Sequence, residues 1–246
     1  DVYKRQLRER AAAHQHILSL VADVACPRDV GRIVDAVMTT FRRVDILVNN
    51  AGIYGPMGLS DEVDWDAWRY AIEVNLFGSV LMCRAVVPYM KAQRYGKIIQ
   101  LSGGGATAPL PNLSAYAAAK AAVVRFAESL AQEVRQWHID VNAVAPGALN
   151  TRLLDDVLAA GPEKVGAEFY TKAVRQKETG GVGFEPGARL CVFLASAASD
   201  GITGKLISAV WDRWDLFPSI KDELMTSDVY TLRRICARDR GKAWDK

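Results

Sequence analysis

Asp45-Ile46-Leu47-Val48-Asn49-Asn50-Ala51-Gly52 sets an aliphatic run against a turn of small and polar residues. So short an apolar run, closed by Asn and Gly, reads as a strand buried in a parallel sheet. Upstream, residues 29–41 carry Val30, Ile33, Val34 and Val37 at helical spacing, with Pro27 near the start. Before them, residues 17–22 form an apolar run ending at Asp23, expected to be another buried strand. Downstream, a polar linker leads to a long helix over residues 65–93, expected to bend near Pro88. Strands follow at residues 97–101, 139–144 and 205–210, separated by helices over residues 115–136 and from Ala188 onward. Residues 148–184 are mixed and turn-rich, the composition of a lid or substrate loop.

Strands alternating with helices specify an α/β fold, a doubly wound parallel sheet covered on both faces. Ligands in such sheets bind beyond the carboxyl ends of the strands. Asp23, Asn49 to Gly52, Ser102, and Pro146 with Gly147 all fall at that edge. The 246 residues, half of them apolar, predict one domain. Residues 1–15 are expected to be helix or frayed tail within an irregular N-terminal remnant spanning 1–16, and 211–246 a C-terminal extension.

A net charge of +3, with both signs spread along the chain, predicts neither a nucleic-acid face nor a polybasic membrane patch. No apolar run of about 20 residues is evident by eye, and no signal peptide. Cys26, Cys83, Cys191 and Cys236 are scattered, and His14, His16 and His138 have no metal-ligand spacing. Reduced thiols, a cytoplasmic location and no metal site are expected.

The chemistry centres on Ser114-Ala115-Tyr116-Ala117-Ala118-Ala119-Lys120. On a helix, positions four apart share a face, so the phenol and the ammonium point the same way. A nearby cation favours the phenolate, so Lys120 is expected to pull the Tyr116 pKa toward the working range. By itself the spacing is equally that of a surface lysine beside a half-buried tyrosine.

Together with Asp23-Val24, the 45–52 run, Val74-Asn75-Leu76-Phe77-Gly78 and Val141 to Gly147 with Thr151, these residues resemble a short-chain dehydrogenase/reductase. The resemblance covers about residues 17–211. It implies a Rossmann-like fold and hydride transfer between NAD or NADP and an alcohol/carbonyl pair. It makes Tyr116 the general acid/base, Lys120 its partner and ribose ligand, and Asn75 the holder of a proton-relay water. Asp23, Val24, Asn49, Ala51, Gly52, Pro146, Gly147 and Thr151 would border the cofactor with Tyr116 and Lys120. Structural readings stand beside these: Asp23 as a helix cap, Asn75 as a backbone bridge, and Asn50 and Asp45 as hydrogen-bonding scaffold.

Two departures matter. The family places a carbonyl-polarising serine thirteen residues before the tyrosine. That position is Gly103, so Ser102 is taken as the catalytic hydroxyl, with a glycine-loop N–H or a water as the alternative. The family also opens with a strand, a glycine-rich turn and a second strand. No such turn stands near the start, a shortfall of roughly 30–40 residues, the scale of one βαβ unit. The expectation is a truncated chain with weak cofactor binding, low stability and an exposed apolar edge at the Ile46 strand.

For the substrate, Leu153, Leu154, Val157, Leu158, Phe169 and Tyr170 suit an apolar small molecule, whereas Arg152, Lys164, Lys172 and Arg175 suit an anion. The tail beyond Trp211 suits an interface or a peripheral helix. The family pattern implies a homodimer or homotetramer through the two long helices, with Ala117, Ala118, Ala121 and Ala122 allowing close approach. A non-catalytic or fragmentary relative acting through association is the alternative function.

Overall fold

The computed structural model describes residues 2–244; Asp1, Asp245 and Lys246, which the single-domain reading includes, lie outside them. Four parallel strands, β1 (Ile46–Asn49), β2 (Gly96–Leu101), β3 (Ile139–Ala145) and β4 (Leu206–Ser208), lie side by side in chain order. Ile98 pairs with Leu47 on one side and Val141 on the other, so the central strands are paired on both edges and covered on both faces. That explains the aliphatic Ile98, Ile99, Val141 and Val144 of these strands, whose polar members Lys97, Gln100, Asp140 and Asn142 are buried as well.

One face is covered by α2 (Pro27–Phe41), α4 (Gly78–Gln93) and α5 (Ser114–Val134). Val34, Met90, Ile98, Val124 and Val141 share that core. The other face carries α9 (Phe184–Ala195) and the C-terminal segment, with Ile99, Val144, Leu190, Ile207 and Phe217 packed together. The expected α/β architecture is therefore present.

Several boundaries differ from the sequence reading. Of the two readings for the N-terminal stretch, residues 2–10 take the helical one as α1 (Val2–Arg10), so that part of the 1–16 span is not irregular. Residues 17–22 are not a strand: no described segment lies beside them to accept ladder bonds, and Val21 is 93% exposed. A strand exists only through pairing, so an apolar run without a neighbour stays extended and irregular. The irregular turn of the long helix is at residues 73–77 rather than at Pro88. There α3 (Trp65–Ile72) passes through a π-helical turn, Glu73–Phe77, into α4. By length and composition residues 65–93 are apolar enough to cross a membrane, at a mean hydropathy of 1.4. Half of that stretch is buried inside the fold, as befits a core helix. The turn-rich segment is mostly helical: α6 (Arg152–Ala160), α7 (Pro162–Val165) and α8 (Ala167–Thr179).

Beyond β4, the chain crosses back through α10 (Lys221–Thr226), and the Leu206 N–H donates to the Tyr230 carbonyl. The Lys205 ammonium donates to the carbonyls of Ser227 and Val229. The tail thus caps the β4 edge, whereas β1 forms an uncovered edge among the described residues, with Ile46 and Val48 44% and 45% exposed. At the N-terminal end of the sheet, buried Lys97 meets Asp140 and Asp200, each at 2.7 Å.

Candidate active site

The carboxyl ends of β1, β2 and β3 converge on the start of α5. Tyr116 and Lys120 stand one turn apart and both are buried. The Lys120 Nζ donates to the Leu101 carbonyl at 2.7 Å and lies 5.6 Å from the centre of the Tyr116 ring. Burial raises the Tyr116 pKa above its ordinary 10, and the Tyr54 phenol adds to the rise. The expectation that Lys120 lowers it is therefore corrected: loss of solvent outweighs a cation already committed to a carbonyl. Burial also pulls Lys120 down to about 8.

Asn75 sits in the π-helical turn. Its Nδ2 donates to the Ile53 and Ala71 carbonyls at 2.7 and 2.8 Å, and its Oδ1 accepts from the Ile53 N–H at 3.2 Å. Single π-helical turns recur at functional sites, and here the turn ties the loop after β1 to the helix. Gly52 lies above the same group. A Cβ on it would be 2.8 Å from Asn75 Oδ1 and 3.6 Å from Lys120 Nζ. Gly52 thus packs its backbone directly on the Asn75 amide oxygen, beside the Lys120 ammonium, a donor of the kind that suits ribose hydroxyls.

The remaining residues divide. Ala51 and Asn50, with Val24 and Asn49, line a cleft beside the β1 end. The Asn49 amide turns inward, however, donating to the Ser79 carbonyl at 3.4 Å and to Cys83 Sγ at 3.6 Å. Asp23 is exposed; its Oδ1 accepts from the Ala25 N–H at 2.9 Å, closing a local turn ahead of α2. Val24 packs against Gly78, where a Cβ would be 2.7 Å away. Pro146 and Gly147 close the β3 end, and Gly147 has φ +93°, which suits glycine alone. Thr151 caps α6, its hydroxyl accepting from the Leu153 N–H at 3.3 Å.

Ser102 and Gly103 behave differently from one another. The Ser102 Oγ is buried with no hydrogen-bond partner among the described residues. Gly103 faces Tyr116, and a Cβ there would come within 2.2 Å of the phenol oxygen. Sequence reasoning missed Gly103 as a contact and passed over Tyr54, whose ring stands edge-on to Tyr116 at 4.7 Å. No periodicity marks Tyr54; its position just past Ala51-Gly52 is the one available signal. The four cysteines are free, and among the described residues no His/Cys/Asp/Glu group could hold a metal.

A profile described as short chain dehydrogenase matches residues 3–160. The chain is 40% identical over 139 residues to a 3-ketodihydrosphingosine reductase of Bacteroides thetaiotaomicron, covering 56% of this chain and 51% of that one. It thus spans about half the length of that relative. Among solved structures it resembles levodione reductase, with a TM-score of 0.75 and 26% identity over 84% of this chain and 80% of that one. It also resembles a gluconate 5-dehydrogenase from Burkholderia cenocepacia J2315, in complex with NADP and tartrate. There the TM-score is 0.70 and identity 28%, over 84% of this chain and 78% of that one.

Proposed function

The chain belongs to the short-chain dehydrogenase family, whose members are NAD- or NADP-dependent dehydrogenases and reductases, and from that premise we propose that it interconverts a carbonyl compound and its alcohol. The observation that carries this is the convergence of Tyr116, Lys120, Asn75 and Gly52 on one rim of the sheet. The bound nicotinamide supplies or accepts the hydride. Tyr116, held neutral by burial, gives its proton to the carbonyl oxygen during reduction and takes one back during oxidation. Lys120 would hold the ribose of a bound cofactor, and its ammonium would stabilise the phenolate left behind. Asn75 keeps the loop after β1 in register with Lys120 and positions a water for proton exchange. The Ser102 hydroxyl is the donor assigned to the substrate oxygen, since no group among the described residues engages it. Ala51, Pro146, Gly147 and Thr151 border the nicotinamide. Asp23, Val24 and Asn49 border the adenine side; Asp23 keeps one carboxylate oxygen outside its local turn.

The test is turnover of ketones followed by reduced-nicotinamide absorbance. Tyr116→Phe should lower it by about 10²- to 10⁴-fold, the usual contribution of a placed general acid. Unchanged turnover sinks the assignment. Ser102→Ala with unchanged turnover would return the carbonyl contact to the glycine-loop backbone.

The association surface in this reading is the pair of long helices, supported by exposed Ala118 and 51%-exposed Phe77. Ala118→Glu should dissociate the oligomer in sedimentation, and an unaltered profile would remove that surface. A cytoplasmic location is supported by four unpaired cysteines; thiol titration finding fewer than four would count against it.

A further inference from the structure

Tyr54 has no part in the proton chemistry above, yet it joins two parts of the molecule. On one side its ring meets Tyr116 edge-on, with an interplanar angle of 69°. On the other it packs with Met57 against Leu154, Val157, Val165 and Ala173, the core of the α6–α8 cap. Its backbone is pinned on both sides. Ile53 is bonded twice to Asn75, and Gly55 lies so close to α3 that a Cβ would be 2.5 Å from that of Ala71. The Gly58 N–H donates to the Asn112 carbonyl at 2.9 Å. The freedom left to Tyr54 is rotation of its own side chain.

The Tyr116 phenol is only 7% exposed. A carbonyl oxygen must come within about 2.8 Å of the phenol oxygen to accept its proton. Gly103 offers backbone, and Lys120 is fixed by its bond to Leu101. Of these three neighbours of Tyr116, the Tyr54 ring is the one whose side-chain rotation moves it aside.

The cap also indicates what takes its place. Arg152, Lys164, Lys172 and Arg175 are all exposed, and Lys172 is paired with Glu168 at 2.6 Å. The interior is made instead by Leu154, Leu158, Phe169 and Tyr170 around Tyr54. An anionic body packed there would shed water among side chains that, as described, carry no positive charge.

Resting on the assignment of Tyr116 as proton donor, we infer that Tyr54 is the gate and specificity residue of this site. It yields its place on the Tyr116 ring to an uncharged carbonyl compound whose apolar body then packs against the cap.

The experiment uses the whole chain with Tyr54→Ala and Tyr54→Phe. Hydrogen exchange over residues 152–179 and ultraviolet titration of the Tyr116 phenol, taken as the difference from Tyr116→Phe, need no turnover. Tyr54→Ala should speed exchange in the cap and bring the phenol midpoint down toward its ordinary value, while Tyr54→Phe keeps the cap protected. Unchanged exchange and midpoint in Tyr54→Ala overturn the inference, whatever Tyr116→Phe does to turnover. In kinetics, the parent chain should prefer acetophenone to pyruvate. Tyr54→Ala should lower the KM for acetophenone relative to acetone by at least about tenfold, the scale of a volume change in an apolar pocket. A preference for pyruvate, or a raised KM for acetophenone, overturns it. Tyr54→Leu, which keeps apolar volume without the ring, replaces Tyr54→Ala if that variant does not fold.

Discussion

Gly103 lies directly against the hydroxyl of Tyr116: a single added carbon would stand 2.2 Å from the phenol oxygen. The space into which a side chain at the position expected to carry a serine would project is thus occupied by the tyrosine's own oxygen. Restoring that serine displaces the phenol instead of completing the site. Gly103→Ser should therefore lower kcat by about 10²-fold, the scale of a misplacement near 1 Å. Steady-state rates measure it, and a gain in activity would show that the phenol shifts without cost.

Lys120 should give the protein a pH-dependent stability. Burial sets its folded pKa at about 8 against an ordinary 10.5. Between those values the unfolded chain binds more protons than the folded one, so stability rises with pH across the window. Lys120→Met removes this dependence. The parent should gain on the order of 2 kcal/mol relative to the variant from pH ~8 to pH ~10. Tyr116, whose pKa is raised, acts in the opposite sense only above its ordinary 10. Urea unfolding of both proteins across this range measures the difference; parallel curves would refute the buried-lysine assignment.

Lys97 supports the far end of the sheet. Its ammonium is 1% exposed and bridges Asp140 and Asp200, with the Gly201 N–H completing the Asp140 carboxylate at 3.0 Å. Lys97→Met strands the Asp140 charge and should cost about 3–5 kcal/mol. Chemical denaturation reports it. A loss below 1 kcal/mol, the usual worth of an exposed pair, would mean that water reaches the pair in solution.

The open edge of β1 should make the chain self-associate. Ile46 and Val48 present apolar side chains on a strand whose outer edge pairs with no other strand among the described residues, the arrangement that invites strand addition. Val48→Lys places a charge on that edge and should reduce concentration-dependent light scattering. Equal scattering by both proteins would locate association elsewhere.

Much of the fold was legible because the central strands are buried on both faces. The runs at residues 96–101 and 139–145 are rich in aliphatic residues for that reason, and even their polar members Lys97, Gln100, Asp140 and Asn142 are buried; α2 shows its buried stripe at Val30 and Val34. The run at residues 17–22 has the same composition and forms no strand, since composition records burial tendency and not the presence of a neighbour. The cap was read as turns because Gly161 and Gly166 interrupt it. Both have positive φ and only separate short helices.

The one-dimensional order of residues determined the family, the parallel sheet, and the pairing of Tyr116 with Lys120, because helical and strand periods are local properties of the chain. Only the packed structure decided that the Tyr116 phenol is raised rather than lowered in pKa, that Gly103 lies against it, and that the Tyr54 ring stands edge-on to it. Those depend on how much water remains around a group and on which backbone passes beside it. Desolvation and contact are set by segments distant in sequence, and no spacing along the chain encodes them.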